Sequence, residues 1–352
     1  MSWTLPALLA AVLAALDATL LRRLAGDLPP ARMVAYPVFW SLPPFLALLA
    51  ARGVPDLPAP FWLATLAAVP VNMAGHLLTA WAVRLAPVSR TVPYLCFSPV
   101  FVVAHEYLLL GVAPRPAGLA GVLLVVAGSW VLNAGGAETH DPGHDEDGDS
   151  GVMTRLLRPF RTLMAEPGAR IMLGVALLWG LGSVLNRQMV LYATPAVAGG
   201  VFFAIYGPAM LAALMVFGGV RPRMLVDRPL RGAAMGAVLF LAAYAHFTAM
   251  SLTTAANMIA VKRLDGVFAV LFDRLSERWS SARRGRTTGS AGLPGPVGAA
   301  SSPGSPSLRS SPNSSSSLCR ADSGTGGRPS RDGRLPGAAL MAAGAALVVL
   351  AA

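Results

Sequence analysis

Long apolar stretches recur along this chain, and they limit its possible folds more than any other feature. A helix needs about 20 apolar residues to cross the hydrocarbon core of a bilayer. Stretches near that length follow one another in regular order, separated by short connections rich in Pro, Gly and Arg that end one helix before the next begins. The pattern predicts ten membrane-spanning helices at 3–21, 33–51, 61–84, 91–112, 114–133, 170–191, 196–219, 230–252, 255–272 and 335–352.

The composition agrees with lipid as the main solvent of the chain. Hydrophobic residues make up 55% of the 352 residues and charged residues only 13%, whereas soluble domains carry about 25% charged residues. The net charge of +11 lies in short loops and in one Arg-rich segment, as expected where basic residues orient helices, so we expect no nucleic-acid partner. Two cysteines indicate neither a disulfide framework nor a metal site, and we expect no cofactor.

Two segments interrupt the apolar pattern. The acidic segment 138–149 lacks apolar residues, and the segment 280–333 is rich in Ser, Gly, Pro and Arg. For His140 and His144 in the acidic segment the alternatives are a metal-binding tract and a solvated linker, and we adopt the linker. The predicted organisation is a first five-helix module at 1–134, a linker at 135–169, and a second module at 170–352 interrupted at about 280–333.

The two modules contain an internal repeat. Val100-Phe101 matches Val267-Phe268 at an offset of 167 residues, and Gly121 and Gly128 match Gly337 and Gly344 at an offset of 216. The larger offset places extra residues of the second module inside segment 280–333. Because each module has an odd number of helices, the second enters the membrane from the opposite side. The predicted fold is therefore an all-α integral membrane protein with two inverted five-helix repeats, and such repeats place a substrate at the midplane.

Several motifs show a family resemblance. The runs Ala86-Pro87-Val88-Ser89, Ser98-Pro99-Val100-Phe101 and Leu108-Leu109-Leu110-Gly111, with the second-module run at 255–264, resemble the EamA-type drug/metabolite transporter superfamily. The resemblance implies ten helices in two inverted modules, a multi-pass protein of the plasma membrane (the cell inner membrane), and transport of small metabolites. From this resemblance we expect a transporter rather than an enzyme.

Two positions depart from the pattern of that superfamily. The Glu that usually follows Gly111 is replaced by Val112, and the apolar sequence of helix nine ends at Phe272. An alternative function follows from the second departure: a non-transporting protein inactivated by the insertion before helix ten. An integral membrane enzyme is a further alternative, and it would need paired carboxylates near a membrane face.

Three ionisable residues lie close together in predicted helix nine. Each of Lys262, Arg263 and Asp265 would cost about 2.5–3.5 kcal/mol at the centre of a membrane helix. One interpretation is an anion site. The Lys-Arg pair, which follows Asn257, is similar to the Lys-Arg pair of plastid phosphate translocators in the same superfamily. The other is an internal ion pair of Lys262 or Arg263 with Asp265 or Asp17 that fixes helix packing.

Other polar residues inside predicted helices complete the candidate substrate site. Asn72 and His76 share one face of helix three, and His76 aligns one turn from His246 under the offset of 167. Asp17 is either a coupling carboxylate or an interfacial partner of Arg22 and Arg23; Glu106 either lines the route or is a hydrogen-bonded packing residue. Aromatic residues either shape the cavity or anchor the interface: Trp81, Trp179, Tyr206 and Tyr244.

Charge asymmetry and the lack of a nucleotide motif complete the functional prediction. Beside the short loops, thirteen Arg lie on the side of the odd-numbered connections and three on the opposite side, which predicts cytoplasmic odd-numbered connections and both termini outside. The chain has no Gly-Lys-Ser/Thr phosphate loop. We therefore predict a secondary carrier for a small metabolite, with anions favoured: an amino acid, an organic acid or a phosphorylated compound. The expected partners are the bilayer and this substrate, and a homodimer remains open.

Overall fold

The computed structural model describes residues 2–86, 91–137, 166–272, 275 and 334–352. Apart from Leu275, they form one compact unit. The acidic segment 138–149, with His140 and His144, lies outside the described residues, and so does segment 280–333. The helices of the first half are α1 (Thr4–Ala25), α2 (Pro30–Arg52), α3 (Ala59–Leu85), α4 (Ser98–Leu110) and α5 (Pro116–Ala137). Those of the second half are α6 (Pro167–Tyr192), α7 (Pro195–Phe217), α8 (Pro229–Leu252), α9 (Ala255–Lys262) and α10 (Arg334–Ala351), and short 3-10 helices occur at Val92–Phe97 and Pro222–Leu225.

Proline and glycine set many of the helix boundaries. Proline occupies the first turn of most helices, where its missing N–H group breaks no hydrogen bond of the helix. Gly53 and Gly111 follow the last turns of α2 and α4 with φ of 69° and 66°, and their amides bond to Leu49 O and Tyr107 O. A left-handed residue at this position is easiest for glycine, so these two residues stop the helices.

Large apolar side chains cover the outside of the helices. Leu63, Leu108, Phe217 and Leu230 are among the exposed ones. Within the described part of the chain, seven helices are long and apolar enough to cross a membrane. Two shorter apolar helices lie at Pro116–Leu132 and Pro336–Ala351. An outside of this kind is stable in lipid and not in water, so the chain is a multi-pass membrane protein.

The helices of the two halves pack in corresponding pairs. Helix α3 packs on α6, and α8 packs on α1; α4 packs on α6, and α9 packs on α1. Three further contacts join helices in the same position of each half, namely α2 with α7, α4 with α9 and α5 with α10. If each helix is replaced by its counterpart in the other half, five places away in the chain, the α3–α6 contact becomes α8–α1 and the α4–α6 contact becomes α9–α1.

The contact between α5 and α10 shows the same correspondence at the level of residues. A Cβ atom on Gly121 would lie 2.9 Å from Gly344 O, and one on Gly128 would lie 2.8 Å from Gly337 O. The sequence repeat pairs Gly121 with Gly337 and Gly128 with Gly344, so exchanging the two halves interchanges these contacts. The glycines let the two backbones approach closely, as tight helix packing in lipid requires.

Helix four begins as a 3-10 helix that runs directly into α4, so the predicted helix at 91–112 is observed from Thr91 to Leu110. The predicted helix at 255–272 is observed with a short turn at residues 263–264. In the first half a 3-10 helix precedes α4, because Pro99 has no N–H to donate to Leu95 O. In the second half α9 ends at Lys262, and helical backbone resumes at 265–272 after a turn closed by a Leu264 N to Val261 O bond of 3.1 Å. There the Asp265 carboxylate accepts from Gly266 N at 2.8 Å, competing with the helical pattern.

The glycine contact yields a stability prediction. Gly128→Ala would place a methyl group against the backbone of α10, so we expect it to lower the free energy of unfolding by about 1–3 kcal/mol. Gly174→Ala is the matched control, because no atom lies within 4 Å of the added Cβ in the middle of α6. Thermal unfolding of the purified variants in detergent measures both effects. Equal stability of the two variants would contradict the described contact.

Candidate functional site

A central cavity of about 400 Å³ lies between the two halves of the molecule. Its described lining comes from α1 to α4, α6 to α9 and the helical backbone at 265–272, at the middle of most of these helices. It extends toward the end that carries the α1–α2 connection, since Leu21 and Met33 line it there. Seven of the predicted substrate residues line it: Asp17, Asn72, His76, His246, Lys262, Arg263 and Asp265.

The charged residues of the cavity form a balanced group around Lys262. Its ammonium interacts electrostatically with the carboxylates of Asp17 and Asp265 and with the guanidinium of Arg263. Its Nζ lies 3.4 Å from His246 Nδ1. Lys262 is the last residue of α9, where the helix dipole favours a cation. Two acidic and two basic side chains therefore share the cavity, and their formal charges cancel.

Several buried polar atoms of the cavity have no hydrogen-bond partner among the described residues. They are Asp17 Oδ1, Ser98 Oγ, Asn186 Oδ1, Tyr206 OH and Arg263 Nε. Buried polar groups are normally paired in folded proteins, because an unpaired one loses its bonds to water without replacement. Unpaired donors and acceptors that converge on one cavity are suited to binding a polar ligand.

Aromatic residues form the apolar wall of the cavity. The rings of Phe202 and Tyr206 stack with centroids 5.2 Å apart. The His76 ring lies 6.2 Å from that of Tyr206 and 6.0 Å from that of Trp179. The cavity thus combines a charged end with an aromatic wall, which is the usual make-up of a small-molecule site.

Corresponding positions of helices four and nine reach this cavity. Under the offset of 167 residues, Ser98 at the start of α4 corresponds to Asp265, which follows the turn in helix nine, and both line the cavity. Each half of the chain therefore contributes one of these two polar residues to the same space.

A second cavity of about 330 Å³ lies toward the opposite end of the molecule. It is lined by the α4–α5 and α8–α9 connections, with Arg115, Thr253 and Arg187 among its residues. Glu106 and Asn257, which the sequence places in the substrate site, line this second cavity and not the central one. They differ from the other candidates in their depth: Glu106 lies about two turns after Ser98 on α4, and Asn257 lies more than one turn before Lys262 on α9.

A polar latch joins the two halves at the end of the molecule that carries the α1–α2 connection. Arg32 donates to Asp227 Oδ2 at 2.6 Å, and Arg228 donates to Asp27 Oδ2 at 2.6 Å, so both bonds join the first half to the second. The hydrogen bond from Arg228 lowers the pKa of Asp27 below its ordinary value. The Tyr36 hydroxyl donates to Arg228 O at 2.8 Å and accepts from Arg228 N at 3.0 Å.

The structure also decides where the other sequence candidates lie. Asp17 faces the cavity near Lys262 and not the membrane interface, because α1 continues to Ala25. Trp179 and Tyr206 line the cavity, whereas Trp81 is exposed. Sequence reasoning missed Ser98, Ser183 and Asn186 as lining residues, although each is a polar residue in a largely apolar helix. Within the described ranges, no three His, Cys, Asp or Glu residues are grouped so that they could hold a metal ion.

Comparisons with known proteins agree with a transporter-type membrane fold. Residues 1–134 match the model of the EamA-like transporter family. None of the curated proteins compared with the chain matches it. One crystal structure of a protein covers 99% of this chain and 97% of its own chain, with a TM-score of 0.63 and 19% sequence identity. At that identity the likeness shows the fold alone.

Fold and site together define a multi-pass membrane protein with a polar cavity between helices. Within this class, residues 1–134 match the EamA-like transporter family, so the predicted resemblance to that family is confirmed over this part of the chain. The bounds of the linker and of the second module stay predictions.

The latch yields a prediction for its buried tyrosine. Tyr36→Phe removes the hydroxyl that bonds both backbone groups of Arg228, and we expect it to lower the free energy of unfolding by about 1–3 kcal/mol. Tyr192→Phe is the control, because that side chain is exposed. Thermal unfolding in detergent compares the two, and an undiminished stability of Tyr36→Phe would count against the latch.

The charged group yields a prediction about coupling. In a double-mutant cycle of Asp17→Asn and Lys262→Met, the double variant should be more stable than the sum of the single effects predicts, by about 0.5–3 kcal/mol, since each charge alone is left uncompensated. The control cycle pairs Asp17→Asn with Arg52→Met, which replaces an exposed residue at the end of α2. Unfolding midpoints give the coupling, and additive effects in the first cycle would contradict the interaction.

Proposed function

We propose that the protein is a secondary carrier of the plasma membrane that moves a small metabolite by alternating access. Its two five-helix halves would be inverted repeats with the substrate between them. The central cavity carries this proposal: both halves line it, charged residues around the turn of helix nine face it, and buried polar atoms in it lack partners among the described residues. The EamA-like match over residues 1–134 supports a transporter rather than an enzyme.

Helix packing supports the inverted repeat. The pairs α3–α6 and α8–α1 correspond, and the glycines of α5 and α10 meet in a reciprocal arrangement. In a carrier with this relation, an exchange of conformations between the halves would close one end of the cavity and open the other. The latch and the second cavity lie at those two ends.

The charges of the cavity narrow the class of substrate. Arg263 and Lys262 suit a carboxylate or phosphate, whereas Asp17 suits an ammonium group. Of the amino acids, organic acids and phosphorylated compounds that the sequence favours, an amino acid with both groups leaves no charge of the cavity uncompensated. We therefore propose an amino acid, whose side chain would lie against the aromatic wall of Phe202 and Tyr206.

The alternative of an inactivated protein has less support. It would require that the insertion before helix ten keep that helix from docking. In the structure α10 packs along α5, with Met341 and Val348 fully buried. The closing wall of the second half is therefore present.

The test is ligand-dependent thermal stability of the purified protein. We expect amino acids to raise the unfolding temperature more than monocarboxylates, amines or neutral analogues of equal size. A ligand present at a hundred times its Kd adds about 2.7 kcal/mol to the free energy of unfolding. The variant Lys262→Ala/Arg263→Ala should lose the response.

Its matched control is Arg221→Ala/Arg223→Ala, which removes two cations from the α7–α8 connection and should keep the response. Stabilisation of the parent and of both variants alike would contradict a site at Lys262 and Arg263. Failure of all the compounds to stabilise the folded parent would contradict the proposed function itself.

A further inference from the structure

The residues that line the central cavity and the second cavity follow one another along α4 and α6. On α4, Ser98 lines the first cavity and Glu106 the second, and Val102 lies one turn from each. On α6 the neighbouring residues Asn186 and Arg187 line different cavities. Val102 is fully buried and lines neither cavity, so it belongs to the layer of side chains between them.

Two charged residues hold the α8–α9 connection over this layer. The Glu106 carboxylate accepts hydrogen bonds from Ala255 N at 2.7 Å and Ala256 N at 2.9 Å, the first amides of α9. The Arg187 guanidinium donates to Met250 O near the end of α8. It also interacts electrostatically with Glu106. The connection is thus held at both ends, by α4 on one side and by α6 on the other.

The strength of the hydrogen bonds from Ala255 N and Ala256 N depends on the charge of Glu106. Its side chain is only 2% exposed, so the two amides replace the water that an ionised carboxylate would otherwise bind. Hydrogen bonds to an ionised group are about twice as strong as neutral ones. A neutral amide in the same place would present one acceptor and one donor to two N–H groups, and could satisfy only one of them.

We propose that Glu106 is the gate residue of the route, whose bonds to the first turn of α9 keep the second cavity separated from the central one. This inference rests on the proposed carrier function, because a gate is needed only where a substrate passes. Glu106 thus acts through the position of α9 and does not contact the substrate in the central cavity. Release of Ala255 and Ala256 would free α9, and with it Lys262, to move away from α4.

The test measures access to the closed layer. Val102→Cys, made in the background Cys96→Ala/Cys319→Ser, reports opening through its rate of reaction with a small water-soluble thiol reagent. Adding Glu106→Gln should raise this rate about tenfold, since a lost hydrogen bond to a charged group shifts an equilibrium by at least that factor. Asp56→Asn makes the same chemical change in the exposed α2–α3 connection and should leave the rate unchanged.

A second variant removes the donor of the hydrogen bond between Ala255 N and Glu106 and leaves the acceptor in place. Ala255→Pro removes the amide that bonds to Glu106, at the first position of α9. Proline is well tolerated there, because Thr254 before it is already extended, with ψ of 154°. It should raise the labelling rate as Glu106→Gln does, and the double variant should react no faster than either single one.

The outcomes separate the gate from a structural role. An unchanged labelling rate in both folded variants, measured well below their unfolding temperatures, would overturn the proposal even if their stability falls. Labelling needs no substrate, so that result is distinct from a failure of amino acids to stabilise the parent. If Glu106→Gln does not fold, Ala255→Pro decides the question alone.

Discussion

A lysine ammonium in the middle of a membrane protein is stable only beside water or counter-charge, and the described structure is arranged around that requirement at Lys262. The residue ends α9 in the interior, with His246 at hydrogen-bonding distance and the carboxylates of Asp17 and Asp265 around it. Helix nine turns directly after Lys262, and the residues on both sides of the turn line the central cavity. The charged groups therefore face this space and not an apolar helix contact.

The corresponding position of the first half also lines the cavity. Ser98 begins α4 where Asp265 begins the second part of helix nine, so each half contributes one helix start to the same space. The reciprocal contacts between Gly121 and Gly344, and between Gly128 and Gly337, hold the outer helices close. The corresponding packing of the two halves thus includes close contacts between α5 and α10 and a cavity that both halves line. This combination favours the proposed carrier.

The sequence predicted the positions of the helices better than their local geometry or the depth of their polar residues. Apolar length and Pro or Gly breakers located the helices, because the bilayer sets that length independently of tertiary contacts. The offset of 167 brought His76 and His246 together in advance. It did not show the 3-10 start of helix four or the turn in helix nine, since the local effects of Pro99 and of the Asp265 side chain compete with an otherwise α-helical pattern. Glu106 was assigned to the substrate site because depth along a helix cannot be read from polarity alone.

The central claim is that the cavity around Lys262 binds and releases a small metabolite during transport, and counterflow tests it most directly. Purified protein is reconstituted in vesicles preloaded with an unlabelled amino acid, and entry of the labelled compound is followed over time. The account predicts rapid entry that depends on the preloaded amino acid and is abolished in Lys262→Ala/Arg263→Ala but kept in Arg221→Ala/Arg223→Ala. Entry at the same rate into vesicles that carry the cavity variant, or no entry of any charged metabolite into vesicles that carry the folded parent, would contradict it.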